Sequence, residues 1–284
     1  MDDSSPSGGL VEAIDGGLYG TTANGGAYER GTVFKITPGG TLTTLYSFCP
    51  LGHGRCTDGE KPYAGLVQAA NGDFYGTTPY GGATCISTGA SGGCGTVFRI
   101  NRSGTLTTIY QFCAQTDRAD GEYPVELVQA TDGSLYGTTY AGGANGAGTI
   151  FKITPSGTLA TLYSFYGTGG SGGPEAGLVQ ATNGDFYGTT STYNNGTVFS
   201  LSVGLAPFVK TQPHFGTVGA AIRVLGTDLT GATSVTFNGT PAAFEVVSPT
   251  EIAATVPAGA TTGSIQVTTP GGTLASGGPF LVAP

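Results

Sequence analysis

The sequence predicts an all-β protein: a small β-propeller-like array of four repeats followed by an immunoglobulin-like β-sandwich. Three observations predict it. One set of motifs recurs four times within residues 1–203. Gly, Pro, Asn and Asp fill the gaps between motifs at fixed positions, as turns require. FKITP and TLTTLYS alternate with a period of two, and no segment carries apolar residues at helical spacing.

The repeat opens with LVEA at Leu10 and LVQA at Leu66, Leu127 and Leu178. YGTT follows nine residues later in every copy, at Tyr19, Tyr75, Tyr136 and Tyr187. GTVF or GTIF comes next, at Gly31, Gly95, Gly148 and Gly196. Ten residues after the first three of these stands TLTTLYSF, TLTTIYQF or TLATLYSF, at Thr41, Thr105 and Thr158. The gap from YGTT to GTVF instead varies as 12, 20, 12 and 9. Constant spacing marks strands held in register by hairpins, and variable spacing marks tolerant loops.

The first hairpin linker reads IDGG, ANGD, TDGS and TNGD, which predicts two-residue primed turns. The second reads TPGG, NRSG and TPSG, also turn-forming. Each unit is thus expected to hold four short antiparallel strands, the unit size of propeller blades. The repeats cover about 9–50, 64–113, 125–166 and 176–203. The fourth lacks the TLTTLYSF strand and runs into GLAPFV. Either SLSVGLAPF completes it locally, which is the favoured expectation, or an open edge remains to accept a strand from another copy.

From residue 204 to 284 the pattern changes. AAIRVLG, SVTFNG, AAFEVVS, EIAATVP, GSIQVTTP and PFLV are short alternating or apolar segments. Turns separate them every eight to twelve residues, as in a sandwich.

Composition bounds the function. The chain holds 52 Gly and 16 Pro among 284 residues, yet 38% of it is hydrophobic, enough for a packed core. Charged residues are only 10% and the net charge is −8. Scattered basic residues on an acidic chain exclude a nucleic-acid partner, whose phosphates need clustered Lys and Arg. Weak charge repulsion also makes association between copies easier. No window approaches the ~18 apolar residues of a membrane span. The opening MDDSSPSGG has neither the basic nor the apolar region of a signal peptide, so a processed chain or a fragment of a precursor is expected.

Five cysteines are present: Cys49, Cys56, Cys85, Cys94 and Cys113. Two pairs lie in short loops, CPLGHGRC and CISTGASGGC, and predict disulfides Cys49–Cys56 and Cys85–Cys94. Closing an eight-residue loop contributes roughly 2.5 kcal/mol in the loop-entropy picture. Cys113 is then left unpaired or intermolecular. It follows Phe112 as Cys49 follows Phe48, which leaves an exchanged pairing of Cys113 open. Zinc is not expected, because the spacings are not CxxC and only His53 and His214 could add ligands. Disulfides place the chain in an oxidising, extracytoplasmic compartment.

Copies one and three of the repeat nearly match LxxxxDGxLYGTTxxGGxxGxGTVFKxTPxGTxTTLYSF end to end. Residues 9 to about 203 thereby resemble the GloVer repeat of bacterial choice-of-anchor surface proteins. The C-terminal segment resembles an IPT/TIG domain. Gly219, the Val224–Gly226 turn, Val235–Gly239 with Pro241, Val256–Pro257, Gly263, Val267 and Phe280 carry that likeness. Together the resemblances imply a bacterial cell-surface or extracellular protein whose families transfer no chemistry onto a residue.

Nothing in the chain composes a catalytic constellation, and no cofactor or metal is expected. Asp58 with Glu60, and Asp120 with Glu122, occupy equivalent TDGEKP and ADGEYP loops and read as turns with exposed acids. They have too few oxygens for calcium. The YGTT tyrosines could stack on sugars but read better as cross-strand packing. Asn101, Asn195 and Asn238 open N-x-S/T triplets of the sort that chance supplies. The leading expectation is a non-enzymatic structural building block whose partners are copies of itself, joined into a filament through strand or edge contacts. The alternative is a carbohydrate- or ligand-binding propeller of a cell-surface adhesin, with Tyr80 and Tyr140 as the residues to test.

Overall fold

A computed structural model describes residues 4–13, 15–51, 56–82, 92–167, 173–191 and 196–283. The protein is all-β, a propeller-like array of four repeats followed by an immunoglobulin-like sandwich. Among the described residues the helical content is a single 3₁₀ turn, Thr116–Arg118. The chain divides into two units, Met1–Val179 with Tyr187–Phe199, and Gln180–Phe186 with Ser200–Pro284.

Each repeat forms its own antiparallel sheet in chain order. In the first, Ser4–Pro6 and Val11–Glu12 both pair with Leu18–Asn24, which is followed by Thr32–Ile36 and Leu42–Ser47. The second holds Val67–Gln68, Phe74–Thr78, Thr96–Ile100 and Leu106–Gln111. The third holds Glu122–Gln129, Leu135–Ala141, Gly146–Ile153 and Leu159–Tyr166. The fourth shows three among the described residues: Val179–Gln180, Phe186–Thr190 and Thr197–Leu201.

That last count corrects two expectations. Among the described residues the fourth repeat has three strands rather than four, and SLSVGLAPF adds no further strand to them. Ser200 and Leu201 already belong to the GTVF strand. Residues 202–208 form no strand, and Lys210–Gln212 pairs with Ala221–Leu225 in the sandwich.

The turns also differ from expectation. In the first linker, the Gly16 N–H donates to Ala13 O and the Ala13 N–H donates to Gly17 O. The second repeat does the same at Gly72, Ala69 and Asp73. These are three-residue loops with one left-handed glycine, at φ 72° for Gly16 and 84° for Gly72. A type I turn plus a glycine bulge needs one positive φ, where a two-residue primed turn needs two in its Asn-Gly form.

Inside each sheet, the YGTT glycine stands opposite the GTVF aromatic: Gly20 against Phe34, Gly76 against Phe98 and Gly137 against Phe151. The ring lies over the bare backbone. The second YGTT threonine shares a buried hydroxyl–hydroxyl bond with the GTVF threonine. The distances are 2.9 Å for Thr22–Thr32, 2.8 Å for Thr78–Thr96 and 3.0 Å for Thr139–Thr149. These pairs satisfy polar groups that would otherwise be costly to bury.

Consecutive sheets pack face to face. One core joins Ala13, Tyr19, Val33 and Phe48 of repeat 1 to Leu66, Phe74, Phe98 and Ile100 of repeat 2. A second joins Ala69, Tyr75, Val97 and Phe112 of repeat 2 to Leu127, Leu135, Phe151 and Ile153 of repeat 3. The Tyr19 and Phe74 rings stack with centroids 4.2 Å apart.

The second unit is a sandwich of two four-stranded sheets. One runs Lys210–Gln212, Ala221–Leu225, Glu251–Thr255, Phe244–Ser248, and the other Thr240–Pro241, Ser234–Phe237, Ile265–Thr269, Gly272–Ala275. Burial alternates along Ile265–Thr269, so Ile265 and Val267 face the core with Val224, Val235, Phe237, Ile252 and Phe280.

Candidate functional site

The repeat framework uses up most of the residues that sequence alone marks as interesting. Tyr19, Tyr75 and Tyr136 are buried in the sheets and cannot stack on a ligand. The Tyr19 hydroxyl donates to Asp15 at 2.9 Å, and Lys35 Nζ reaches the same carboxylate at 2.8 Å. Partial burial works against the Asp15 charge. The hydrogen bonds from Lys35, the Gly17 N–H and Tyr19 outweigh it and hold the carboxyl down at about 2. Asp132, Tyr136 and Lys152 repeat the arrangement in the third repeat.

The acidic loops are corrected from exposed turns to structural anchors. Asp120 is buried and accepts from the Tyr110 hydroxyl at 2.9 Å and the Ala114 N–H at 3.0 Å. Asp58 accepts from Tyr46 at 2.9 Å and the Cys49 N–H at 3.0 Å. Burial, reinforced by the partner carboxylate, pushes both phenols above the usual tyrosine range. Glu60 pairs with Arg30 at 3.3 Å and Glu122 with Arg118 at 2.7 Å. These acids hold the end of one repeat against the start of the next, and their oxygens are engaged by donors rather than grouped for a cation.

Cys49 and Cys56 form a disulfide with Cα atoms 4.4 Å apart. Cys113 is not left over: it is bonded to Cys94 across a Cα separation of 6.0 Å. Sheet register is the reason. The Phe112 N–H donates to Gly95 O at 3.0 Å, so the next pair outward along the hairpin is Cys94 with Cys113. A sulfur makes one disulfide, so the expected Cys85–Cys94 pair has no place beside it, and Cys85 lies outside the described residues. The Cys94, Cys113 and Glu122 cluster therefore offers no thiolates to a metal. His53 and Asn195 also lie outside the described residues. Asn101 accepts from the Ser103 and Thr105 N–H groups in a hairpin turn, and Asn238 donates to Thr261. Both are turn-forming residues.

A cleft remains, lined by residues from all four repeats. It encloses about 640 Å³ and is lined by Tyr63, Tyr80, Tyr123, Tyr140, Glu126 and Glu175, with Ser7–Gly9, Ala64, Pro79, Pro124 and Val125 between them. Tyr80 lies two residues past the strand Phe74–Thr78 and Tyr140 at the end of Leu135–Ala141, while Tyr63 precedes Val67–Gln68 and Tyr123 opens Glu122–Gln129. Tyr63, Tyr80 and Tyr140 are exposed. The Tyr80 and Tyr123 rings meet edge to face at 5.7 Å.

Glu126 opens to solvent at the cleft, but the protein around it displaces enough water to raise its carboxyl above the ordinary value. Glu175 is held by the Ser191 hydroxyl at 2.7 Å. Among the described residues, no Lys, Arg or His lines the cleft. It therefore offers flat aromatic faces and carboxylate acceptors, with no charge partner for an anion among those residues. Tyr63, Tyr123, Glu126 and Glu175 escape a repeat-based reading because they occupy non-repeating positions. Their available signal is that KPYAGL, EYPVEL and GPEAGL all lead into the LVQ motif that opens each of those repeats.

Fold and cleft define a class: a disulfide-bonded, propeller-like repeat array with a ligand-sized central cleft and an appended immunoglobulin-like domain. The chain belongs to the Gloeobacter/Verrucomicrobia repeat family, which it matches over residues 1–118 and 83–231. Residues 208–282 match the IPT/TIG domain. The sequence matches no curated protein. Among solved structures it is similar to a candidate gluconolactonase, at 15% identity and a TM-score of 0.41, covering 87% of this chain and 73% of that one. A candidate glucose dehydrogenase from Thermus thermophilus is similar at 13% identity and 0.42, covering 93% and 90%. SGBP-B from a xyloglucan utilization locus of Bacteroides uniformis is similar at 14% and 0.24, covering 66% and 46%.

Proposed function

We propose that this chain is a non-catalytic, extracellular bacterial surface protein that binds a neutral carbohydrate chain in the tyrosine-lined cleft. The observation that carries the reading is the convergence of four tyrosines and two carboxylates from successive repeats on one cavity. A phenol ring presents an apolar face to the C–H face of a sugar and keeps a hydroxyl for hydrogen bonding. Ordering a tyrosine costs little conformational entropy, because it has two side-chain torsions. Glu126 and Glu175 accept from sugar hydroxyls, and few but placed polar groups fix orientation in such sites. The net charge of −8 and a described lining without cations disfavour acidic polysaccharides. Disulfides and the two surface-type families support an extracellular location.

A glycan array probed with the wild-type chain, Tyr80→Ala and Tyr140→Ala tests this. The expected result is binding to neutral glycans that both variants lose while keeping wild-type melting temperatures. Absence of binding to every glycan would refute it. Two carboxylates in one cleft also raise the question of hydrolysis. A reducing-end assay on the bound glycans separates the readings, and the proposal expects no turnover.

A further inference from the structure

Every internal repeat presents two different faces. The leading face carries a YGTT tyrosine and a GTVF valine or isoleucine. The trailing face carries the first leucine of LVQA, the residue before the tyrosine, and the isoleucine closing the GTVF strand. The leading face of repeat 1 packs on the trailing face of repeat 2, and repeat 2 packs on repeat 3 in the same way. A hydrogen bond stitches each junction at one equivalent position. Thr21 donates to Ala64 O at 2.8 Å, Thr77 to Val125 O at 2.7 Å, and Thr138 to Ala176 O at 3.1 Å.

Among the described residues, the two ends of the array leave the matching halves more exposed than their internal counterparts. On the leading face of repeat 4, Val198 is 79% exposed, whereas Val33 and Val97 at the same position are 0% exposed. Val179, Tyr187 and Thr189 are exposed beside it. On the trailing face of repeat 1, Leu10 is 52% exposed, against 8%, 8% and 6% for Leu66, Leu127 and Leu178. Leu18 and Ile36 are half-buried where Leu135 and Ile153 are fully covered. Gly8 lies two residues before Leu10, the sequence position that the acceptors Ala64, Val125 and Ala176 hold before Leu66, Leu127 and Leu178.

We propose that the leading face of repeat 4 docks onto the trailing face of repeat 1 in a second copy of this chain, head to tail. The occupant follows from continuity: these surfaces are the two halves of a junction that the chain already builds between its own repeats, matched position by position. Val198 and Tyr187 meet Leu10, Leu18 and Ile36, and the Thr189 hydroxyl donates to Gly8 O of the second copy. Such a contact is heterologous, so copies add in one direction or close into a ring. The junction shares Gly8 with the cleft lining, but Leu10, Tyr187 and Val198 are not part of that lining, so the Val198→Asp and Leu10→Asp tests are separate from the tyrosine variants of the carbohydrate reading.

Sedimentation velocity over a concentration series tests it with the full chain, Val198→Asp and Leu10→Asp. Both replaced side chains are exposed, so both variants should fold, and circular dichroism melts verify this. The wild type is expected to form concentration-dependent oligomers, and each variant alone is expected to remain monomeric. Mixed one to one, the variants should form dimers that grow no further, since each supplies the face the other lacks. A monomeric wild type at millimolar concentration would overturn the proposal. So would Leu10→Asp dimerising by itself, which signals a like-to-like contact, or a mixture that stays monomeric. A wild type whose assembly both variants leave intact would place the contact elsewhere, on the sandwich for example, and would equally overturn it.

Discussion

Gly76→Ala isolates the packing rule on which the repeat is built. Gly76 has no left-handed backbone to protect, so any penalty comes from space alone. A Cβ there would lie 2.5 Å from Phe98 Cζ and 2.9 Å from Leu66 Cδ2. Phe98 is fully buried and held edge to face by Phe48 at 5.2 Å, so it cannot swing aside. Overpacking of this kind costs about 2–3 kcal/mol. Loss of unfolded-state freedom at the new alanine returns about 0.5–1 kcal/mol. The net loss is about 1–2.5 kcal/mol, or a melting temperature lower by roughly 2–10 °C for a unit of this size.

Gly39→Ala is the control. It also lacks a positive φ, and its nearest neighbour is Thr37 Oγ1 at 3.9 Å. It should gain a few tenths of a kcal/mol, the opposite sign. Scanning calorimetry of both variants, with Phe98→Leu added to Gly76→Ala, reads the effect. The smaller side chain should cost less in the Gly76→Ala background than in wild type. A Gly76→Ala chain as stable as wild type, or no coupling to position 98, would refute the reasoning.

Cys113→Ser should lose about 3 kcal/mol by opening a twenty-residue loop, and non-reducing peptide mapping should recover Cys94 joined to Cys113 in the wild type. Thr77→Val removes the stitch to Val125 O at 2.7 Å, and leaving that carbonyl without its donor should cost about 1–2 kcal/mol in urea unfolding. Acid should also destabilise the array through Asp15. Its folded pKa of about 2 lies below the usual 3.8, so its contribution is complete above about pH 4 and disappears as pH falls through 2. The contribution is at most about 2.4 kcal/mol, less whatever solvent screening removes. Asp15→Asn should flatten the urea midpoint over that interval, and a slope equal to wild type would contradict the assignment.

The repeat was legible in the chain because hairpin register depends on fixed spacing, and fixed spacing is visible in one sequence. The Leu10-to-Tyr19 interval recurs because a strand, a turn and a strand must return the chain to the same place. The Cys94–Cys113 bond was legible in principle from the same register, since Gly95 and Phe112 are paired. Proximity along the chain points instead to Cys85. Asp58 and Asp120 looked like loop acids because their Tyr46 and Tyr110 partners lie ten or more residues away on another strand. The cleft was least legible. Repetition marks what every copy needs for folding; Tyr80 and Tyr140, which follow YGTT, were legible as candidates, whereas Tyr63, Tyr123, Glu126 and Glu175 stand at non-repeating positions and join them only in the folded cleft.

The central claim is that the cleft tyrosines contact a neutral sugar. Saturation-transfer difference NMR measures this directly, with the array-selected oligosaccharide and the wild-type chain compared with Tyr80→Ala and Tyr140→Ala. The account predicts transfer to the C–H protons of one sugar face, lost in both variants while their folded spectra persist. Transfer of equal strength in the wild type and in both variants would contradict it.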